Sequence, residues 1–129
     1  MIYVDTSVAL AHLLAEDRRP PAELWSEELV TSRLLEYEVW TRINARGLAA
    51  THGDATRLML ARFAFLELER PVLDRALAPF PVPVRTLDAL QLASLAFLRE
   101  HGQDVRLATY DARMSEAAQA MGIVAYRGE

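Results

Sequence analysis

The stretch "MIYVDTSVALAHLLAE", residues 1–16, decides how the rest of the chain is read. Ile2, Tyr3 and Val4 make a short apolar run of β-branched and aromatic side chains, suited to a buried strand. Asp5 ends that run, and a helical apolar segment follows at once, with Thr6 or Ser7 able to cap it. Open parallel sheets build their sites where the carboxyl end of a strand meets the start of a helix. A buried acid there needs a partner or a cation.

The pattern repeats along the chain. "DRRPP" (17–21) breaks the first helix, and "AELWSEE" (22–28) reads as a short second one. "LVTS" (29–32) is a strand. "RLLEYEVWTRINARG" (33–47) follows as a helix, with Leu35, Val39 and Ile43 at helical spacing and Gly47 as its stop. "THGDATRLMLARFAFL" (51–66) starts with capping residues and places Leu58, Ala61 and Phe65 on one face, while "ELE" (67–69) is read as a short strand. "RPVLDRALAPF" (70–80) is a helix with proline near its start, and "PVPVR" (81–85) is extended because proline forbids helix there. Thr86 caps "LDALQLASLAFLREHG" (87–102). "VRLAT" (105–109) is a strand, "DARMSEAAQAMG" (111–122) a helix and "IVAY" (123–126) a last strand. Strands alternating with helices predict an α/β domain with a parallel sheet and helices on both faces. With no repeat or linker, residues 1–129 read as one domain.

Composition narrows the functions. The chain has 129 residues, 52% hydrophobic and 25% charged, which fits a globular protein. No apolar run approaches the roughly 18 to 20 residues that span a bilayer. The start lacks a basic leader and makes a poor signal peptide, so a cytoplasmic protein is expected. With no cysteine, disulfides, thiolate metal sites and cysteine nucleophiles are excluded. A net charge of −4 argues against nucleic-acid binding by bulk attraction. Yet every Lys or Arg position is arginine, the better bidentate phosphate clamp, although that bias also fits genome composition.

The acids fall in telling places. Asp5 ends a strand, Asp111 lies just past "VRLAT", and Asp88 opens the helix after "PVPVR". Each has a plainer explanation: aspartates in a first helical turn are favoured by capping and by the helix dipole. Glu38 could pair with Arg42 one turn later. Glu36, two residues away, points to a nearly opposite side, and periodicity leaves the choice between the two open. Several carboxylates at one sheet edge repel each other unless a cation joins them. Hard oxygen ligands without histidine or cysteine suit Mg²⁺ or Mn²⁺, and such ions serve phosphodiester hydrolysis. The histidines share no spacing, no Gly-rich phosphate loop is present, and Ser7, Ser32 and Ser94 lack a histidine base.

Taken together, "MIYVDTSVALAHLL", "TSRLLEYEVWTRI", "VRTLDALQLASL" and "LATYDARMSEAAQAMGI" resemble the PIN-domain family, specifically the VapC-type toxins of bacterial toxin–antitoxin pairs. The resemblance covers essentially the whole chain and is most specific in "RTLDALQLA" and "TYDARMSEAAQAMG". It implies a three-layer α/β/α sandwich with a mainly parallel sheet and a Mg²⁺- or Mn²⁺-dependent endoribonuclease. By position, its acidic quartet falls on Asp5, Glu38, Asp88 and Asp111. The three aspartates would hold metal, Glu38 would orient water or join as a ligand, and Thr6, Ser7 and Thr109 would stand behind them. Many members carry histidine after "DAL", where this chain has Gln91. Arg85 would grip a phosphate or pair with a nearby acid. The resemblance further implies an RNA substrate, a homodimer and a cognate antitoxin. Trp25, Trp40, Phe63 and Phe65, read as helix-borne and in excess of what a small monomer must expose, fit such interfaces. Two other classes compete: a catalytically inactive interaction domain of the same fold, and a receiver-type phospho-acceptor domain, which needs a lysine this chain lacks.

Overall fold

The computed structural model describes residues 1–127. Four strands form one parallel sheet: β1 (Ile2–Val4), β2 (Leu29–Ser32), β3 (Ala64–Leu66) and β4 (Arg106–Ala108), in the order β3-β2-β1-β4. The helices are α1 (Thr6–Leu13), α2 (Arg33–Ala45), α3 (Ala49–Leu60), α4 (Arg70–Leu77), α5 (Thr86–Glu100) and α6 (Ala112–Ala120). A 3₁₀ turn at Ala22–Ser26 stands where the short second helix is expected.

Alternation along β1 builds the layers. Ile2 and Val4 join a core with Val8 of α1, Leu35, Val39 and Ile43 of α2, and Leu60 of α3. Tyr3 points to the other face, where Leu92 and Leu95 of α5 pack with Met114 and Ala117 of α6. Strand side chains alternate between faces, so a strand apolar on every residue calls for a helical layer on each side. The outcome is the α/β/α sandwich. Each fully buried Leu, Ile or Val contributes about 1.5–3 kcal/mol relative to exposure, so the Leu35–Val39–Ile43 stripe holds α2 firmly in register.

Several expectations are corrected. The third strand is Ala64–Leu66, not "ELE", and α3 runs from Ala49 to Leu60 instead of from Thr51 to Leu66. Helical spacing alone cannot see the pairing of Val30 with Ala64 and Thr31 with Phe65, which gives this segment a partner for its backbone. The buried face of α3 is Gly53, Thr56, Met59 and Leu60, whereas Leu58 and Ala61 are exposed. "IVAY" contributes only one bridge, Leu107 to Ala125, and no strand. Thr86 is the first helical residue of α5; the cap position is Arg85, with no side-chain cap bond. At α1 the cap is Asp5, not Thr6 or Ser7.

The large apolar side chains are also relocated. Phe63 is buried at 8% exposure, and Trp25, Trp40 and Phe65 pack against the same core. None of the four argues for an interface. Phe63 and Phe65 lie in and beside β3, which turns them inward.

Candidate active site

β1 pairs with β2 on one side and β4 on the other. The chain leaving β1 therefore meets two diverging connections at its carboxyl end, the switch point where parallel sheets open a crevice. Asp5 stands there at 6% exposure. It caps α1, and its Oδ2 accepts the Ser7 amide at 3.4 Å, the Ser7 hydroxyl at 2.6 Å and the Thr109 hydroxyl at 2.8 Å. The same two hydroxyls reach onward. Ser7 Oγ accepts the Tyr110 N–H at 2.9 Å, and Thr109 Oγ1 accepts the Asp111 N–H at 3.0 Å. The β4–α6 connection is thereby tied to the end of β1.

Asp111 caps α6, with Oδ1 accepting the N–H groups of Arg113 and Met114 at 2.9 and 3.3 Å. Glu38, in the second turn of α2, is half-buried. Its Oε1 accepts the Thr6 hydroxyl at 2.8 Å and the Gln91 amide at 3.0 Å. Asp88 is the third residue of α5, and among the described residues its carboxylate accepts no hydrogen bond. All four acids line one cleft of about 750 Å³, with Thr6 and Ser7 beside them.

The electrostatics agree with that convergence. Burial pushes Glu38 above the ordinary carboxylate range, its bonds from Thr6 and Gln91 oppose the rise, and the charges of Asp5 and Asp88 add to it. Asp88 is also raised, first by burial and then by Asp111 and Asp5, against the pull of Arg85 and Arg113. Acids far apart would not raise one another.

Glu36 is turned elsewhere. It pairs with Arg33 at 3.3 Å, and Arg33 also binds Glu67 at 2.7 Å. The cleft receives Glu38, and the pairing of Glu38 with Arg42 does not occur; Arg42 lines the same cleft without an ion pair among the described residues. Arg85 is exposed in an adjoining cavity that shares Asp88.

The residue whose place the sequence does not reveal is Gln91. It is buried at 2% exposure, with Oε1 accepting the hydroxyl of wholly buried Tyr3 and Nε2 donating to Glu38. Tyr3 thereby sets which end of the amide faces the carboxylate. The available signal was a glutamine beside Leu92 on an otherwise apolar helix face, since a buried amide must find partners.

The donor set suits a hard divalent cation. Among the described residues, the hydrogen bonds on Asp5, Glu38 and Asp111 each fall on a single oxygen, leaving the second available. No group of three acid or histidine side chains among the described residues is already spaced around one ion. Closing on one takes side-chain rotation, and Asp88 is the acid with no hydrogen bond to hold it back.

The PIN domain model matches residues 2–120. Ribonuclease VapC46 of Mycobacterium tuberculosis is 36% identical over 129 residues, covering 95% of this chain and 93% of that protein. Ribonuclease VapC47 of the same species is 29% identical over 131 residues, covering 96% and 94%. Among solved structures, Mycobacterium tuberculosis VapC20, a Sarcin-Ricin loop cleaving toxin, superposes with a TM-score of 0.71 at 24% identity over 99% of this chain and 100% of that one. A toxin–antitoxin complex from Klebsiella pneumoniae gives a TM-score of 0.69 at 18% identity, covering 93% and 94%.

Proposed function

The chain belongs to the PIN-domain family, and from that premise we propose that it is a metal-dependent endoribonuclease acting as the toxin of a toxin–antitoxin pair. The observation that carries this reading is the convergence of Asp5, Glu38, Asp88 and Asp111 on one cleft at the switch point of the sheet. Relatives named as ribonucleases support the reaction class, and those names cover nearly the full length of the chain.

Asp5, Asp88 and Asp111 would hold Mg²⁺ or Mn²⁺, with Glu38 as a further ligand or as the group that orients water. When bound, such an ion polarises a phosphoryl oxygen and lets water act as a nucleophile near neutral pH. The chain's own side chains do the rest. Thr109 and Ser7 fix the Asp5 carboxylate, so it cannot swing away from the cleft. Thr6 and Gln91 hold Glu38 by one oxygen and present the other. The free oxygen of Glu38 can accept a hydrogen bond from the attacking water and orient it toward the phosphorus.

The reading extends to partners. A cognate antitoxin would cover the cleft, in keeping with the neighbour solved as a toxin–antitoxin complex. A homodimer would cover the apolar groove between α4 and α5, beside which Leu77 stands 83% exposed. No described helix is long and apolar enough to cross a membrane, and the proposed place of action is the cytoplasm, where RNA and antitoxin meet the toxin.

The test is cleavage of RNA by purified protein with Mg²⁺ or Mn²⁺. Cutting stops with EDTA and is absent from Asp5→Asn, and expression without an antitoxin arrests growth. Undiminished cutting in EDTA by a clean preparation overturns the metal mechanism.

A further inference from the structure

Six carboxylates line the cleft, with Glu16 and Asp17 beside the four acids of the site; they repel a phosphodiester, and a chain of net charge −4 offers no general attraction to offset this. Local cations must do so. Arg18 and Arg42 line the acidic cleft itself. Arg85 and Arg113 line the adjoining cavity, and the two cavities share Asp88. None of these four arginines forms an ion pair among the described residues, whereas Arg33, Arg57 and Arg70 all do. Their guanidinium donors are therefore not taken up by carboxylates.

Arg18 is also held in place. Its Cζ lies 4.4 Å from the centroid of the Tyr110 ring, and Tyr110 is tied by its N–H to the Ser7 hydroxyl. The end of α1 turns the chain toward Arg18. Ala15, just beyond α1, sits at φ 51°, a left-handed conformation that glycine normally takes, and the Glu16 N–H closes the turn on the Ala11 carbonyl at 3.1 Å.

We propose that Arg18 and Arg42 in the acidic cleft, and Arg85 and Arg113 in the adjoining cavity that shares Asp88, form a split phosphate cradle. It grips a single RNA strand on both flanks of the bond facing Asp88. This inference rests on the ribonuclease reading and names the substrate contacts of that same site. Guanidinium groups bind phosphate oxygens through two parallel N–H donors, which orients the strand as well as holding it.

The test measures binding of a fluorescein-labelled single-stranded RNA of mixed sequence to Glu38→Gln protein with Mg²⁺, a background that keeps all three aspartates. Three double variants are made in it: R18Q/R42Q, R85Q/R113Q, and R57Q/R70Q as a control of equal charge outside the cleft. Each cleft pair weakens binding about tenfold or more and reduces the slope of log affinity against log salt by roughly 1.4, the value for two lost single-strand phosphate contacts. The control changes neither. R18K/R42K recovers the salt slope but not the full affinity, because lysine keeps the charge and loses the fork. All four arginines in the cleft pairs are exposed, so melting curves of these variants stay close to the parent. Parent-like binding by both cleft pairs overturns the cradle, as does an equal loss in the control. A parent that binds no RNA overturns it too. Cleavage by the wild-type protein, measured separately, decides the ribonuclease reading on its own.

Discussion

Asp5 and Asp88 open onto the same cleft, one at a strand end and the other in the first turn of a helix. Asp5 is nearly buried and accepts two hydroxyls and an amide. Asp88 is half-exposed and accepts nothing among the described residues. Asp5 thus has a structural task besides any part in the site, while for Asp88 the fold offers only the favourable field of the α5 N-terminus. A carboxylate with local partners can be mistaken for a cap, and one without them cannot. Asp88 is the more diagnostic residue although the sequence makes Asp5 the more conspicuous.

The largest expected effect should erase the contrast. Asp5→Asn and Asp88→Asn each lower RNA cleavage by roughly a hundredfold or more, because both remove charge that the cation and water need. Glu38→Gln falls with them, and Glu36→Gln, which loses only a partly exposed ion pair outside the cleft, retains activity. Single-turnover assays at saturating Mg²⁺ would check the set. Full activity in Asp88→Asn would remove it from the site.

Next comes the support behind Glu38. Gln91→Leu leaves the Tyr3 hydroxyl without its partner and takes one of two hydrogen bonds from Glu38 Oε1, and a buried polar group orphaned like that hydroxyl costs about 1–3 kcal/mol. Cleavage falls on the order of tenfold to a hundredfold, as when outer partners of metal-site ligands are lost. Tyr3→Phe has the same direction and a smaller size, read by chemical denaturation and by the same cleavage assay. Tolerance of Gln91→Leu in both assays would mean that Glu38 needs no positioning.

Stability without metal sharpens the comparison. Asp5→Ala loses a helix cap and strands the Ser7 and Thr109 hydroxyls, lowering stability by about 1–2 kcal/mol. Asp88→Ala loses no hydrogen bond and relieves repulsion from Asp5 and Asp111, raising stability by a few tenths to about 1 kcal/mol after solvent screening. Thermal melts in EDTA distinguish the two. Mg²⁺ stabilises the wild type by mass action and does so less in either variant. Equal shifts of the same sign would show that the two acids stand in equivalent surroundings.

The smallest effect is on pH dependence. Glu38 and Asp88 hold protons more tightly in the metal-free fold than in the unfolded chain. Folding then takes up protons as pH climbs past the ordinary carboxylate range, and stability falls until the raised folded values are passed. Melts in EDTA should therefore decline as pH increases above the ordinary carboxylate range through these two groups. The decline is shallower in Asp88→Asn, and Mg²⁺ flattens it by favouring the charged forms. A steeper decline in Asp88→Asn would contradict the shared cluster.

Much of this protein is determined within a few residues of chain. Strand runs such as Ile2–Val4, the Leu35–Val39–Ile43 stripe and the Gly47 stop, which takes φ 66°, declare themselves through period and backbone preference. Strand-to-helix junctions likewise announce Asp5 and Asp111, since an acid at a helix start is visible in the sequence itself. Tertiary structure decided what depends on distant partners. Segment 64–66 is a strand because Val30 and Thr31 lie ready to pair with it, and Phe63 and Phe65 are inward for the same reason. Glu38 enters the cleft because Thr6 and Gln91 await it, while Arg33 draws Glu36 away. Gln91 and Arg18 acquire meaning only beside Tyr3 and Tyr110, which lie 88 and 92 positions away along the chain. Local periodicity reports which face a side chain takes, but hydrogen bonds and charges act through space, and only the fold brings their two ends together.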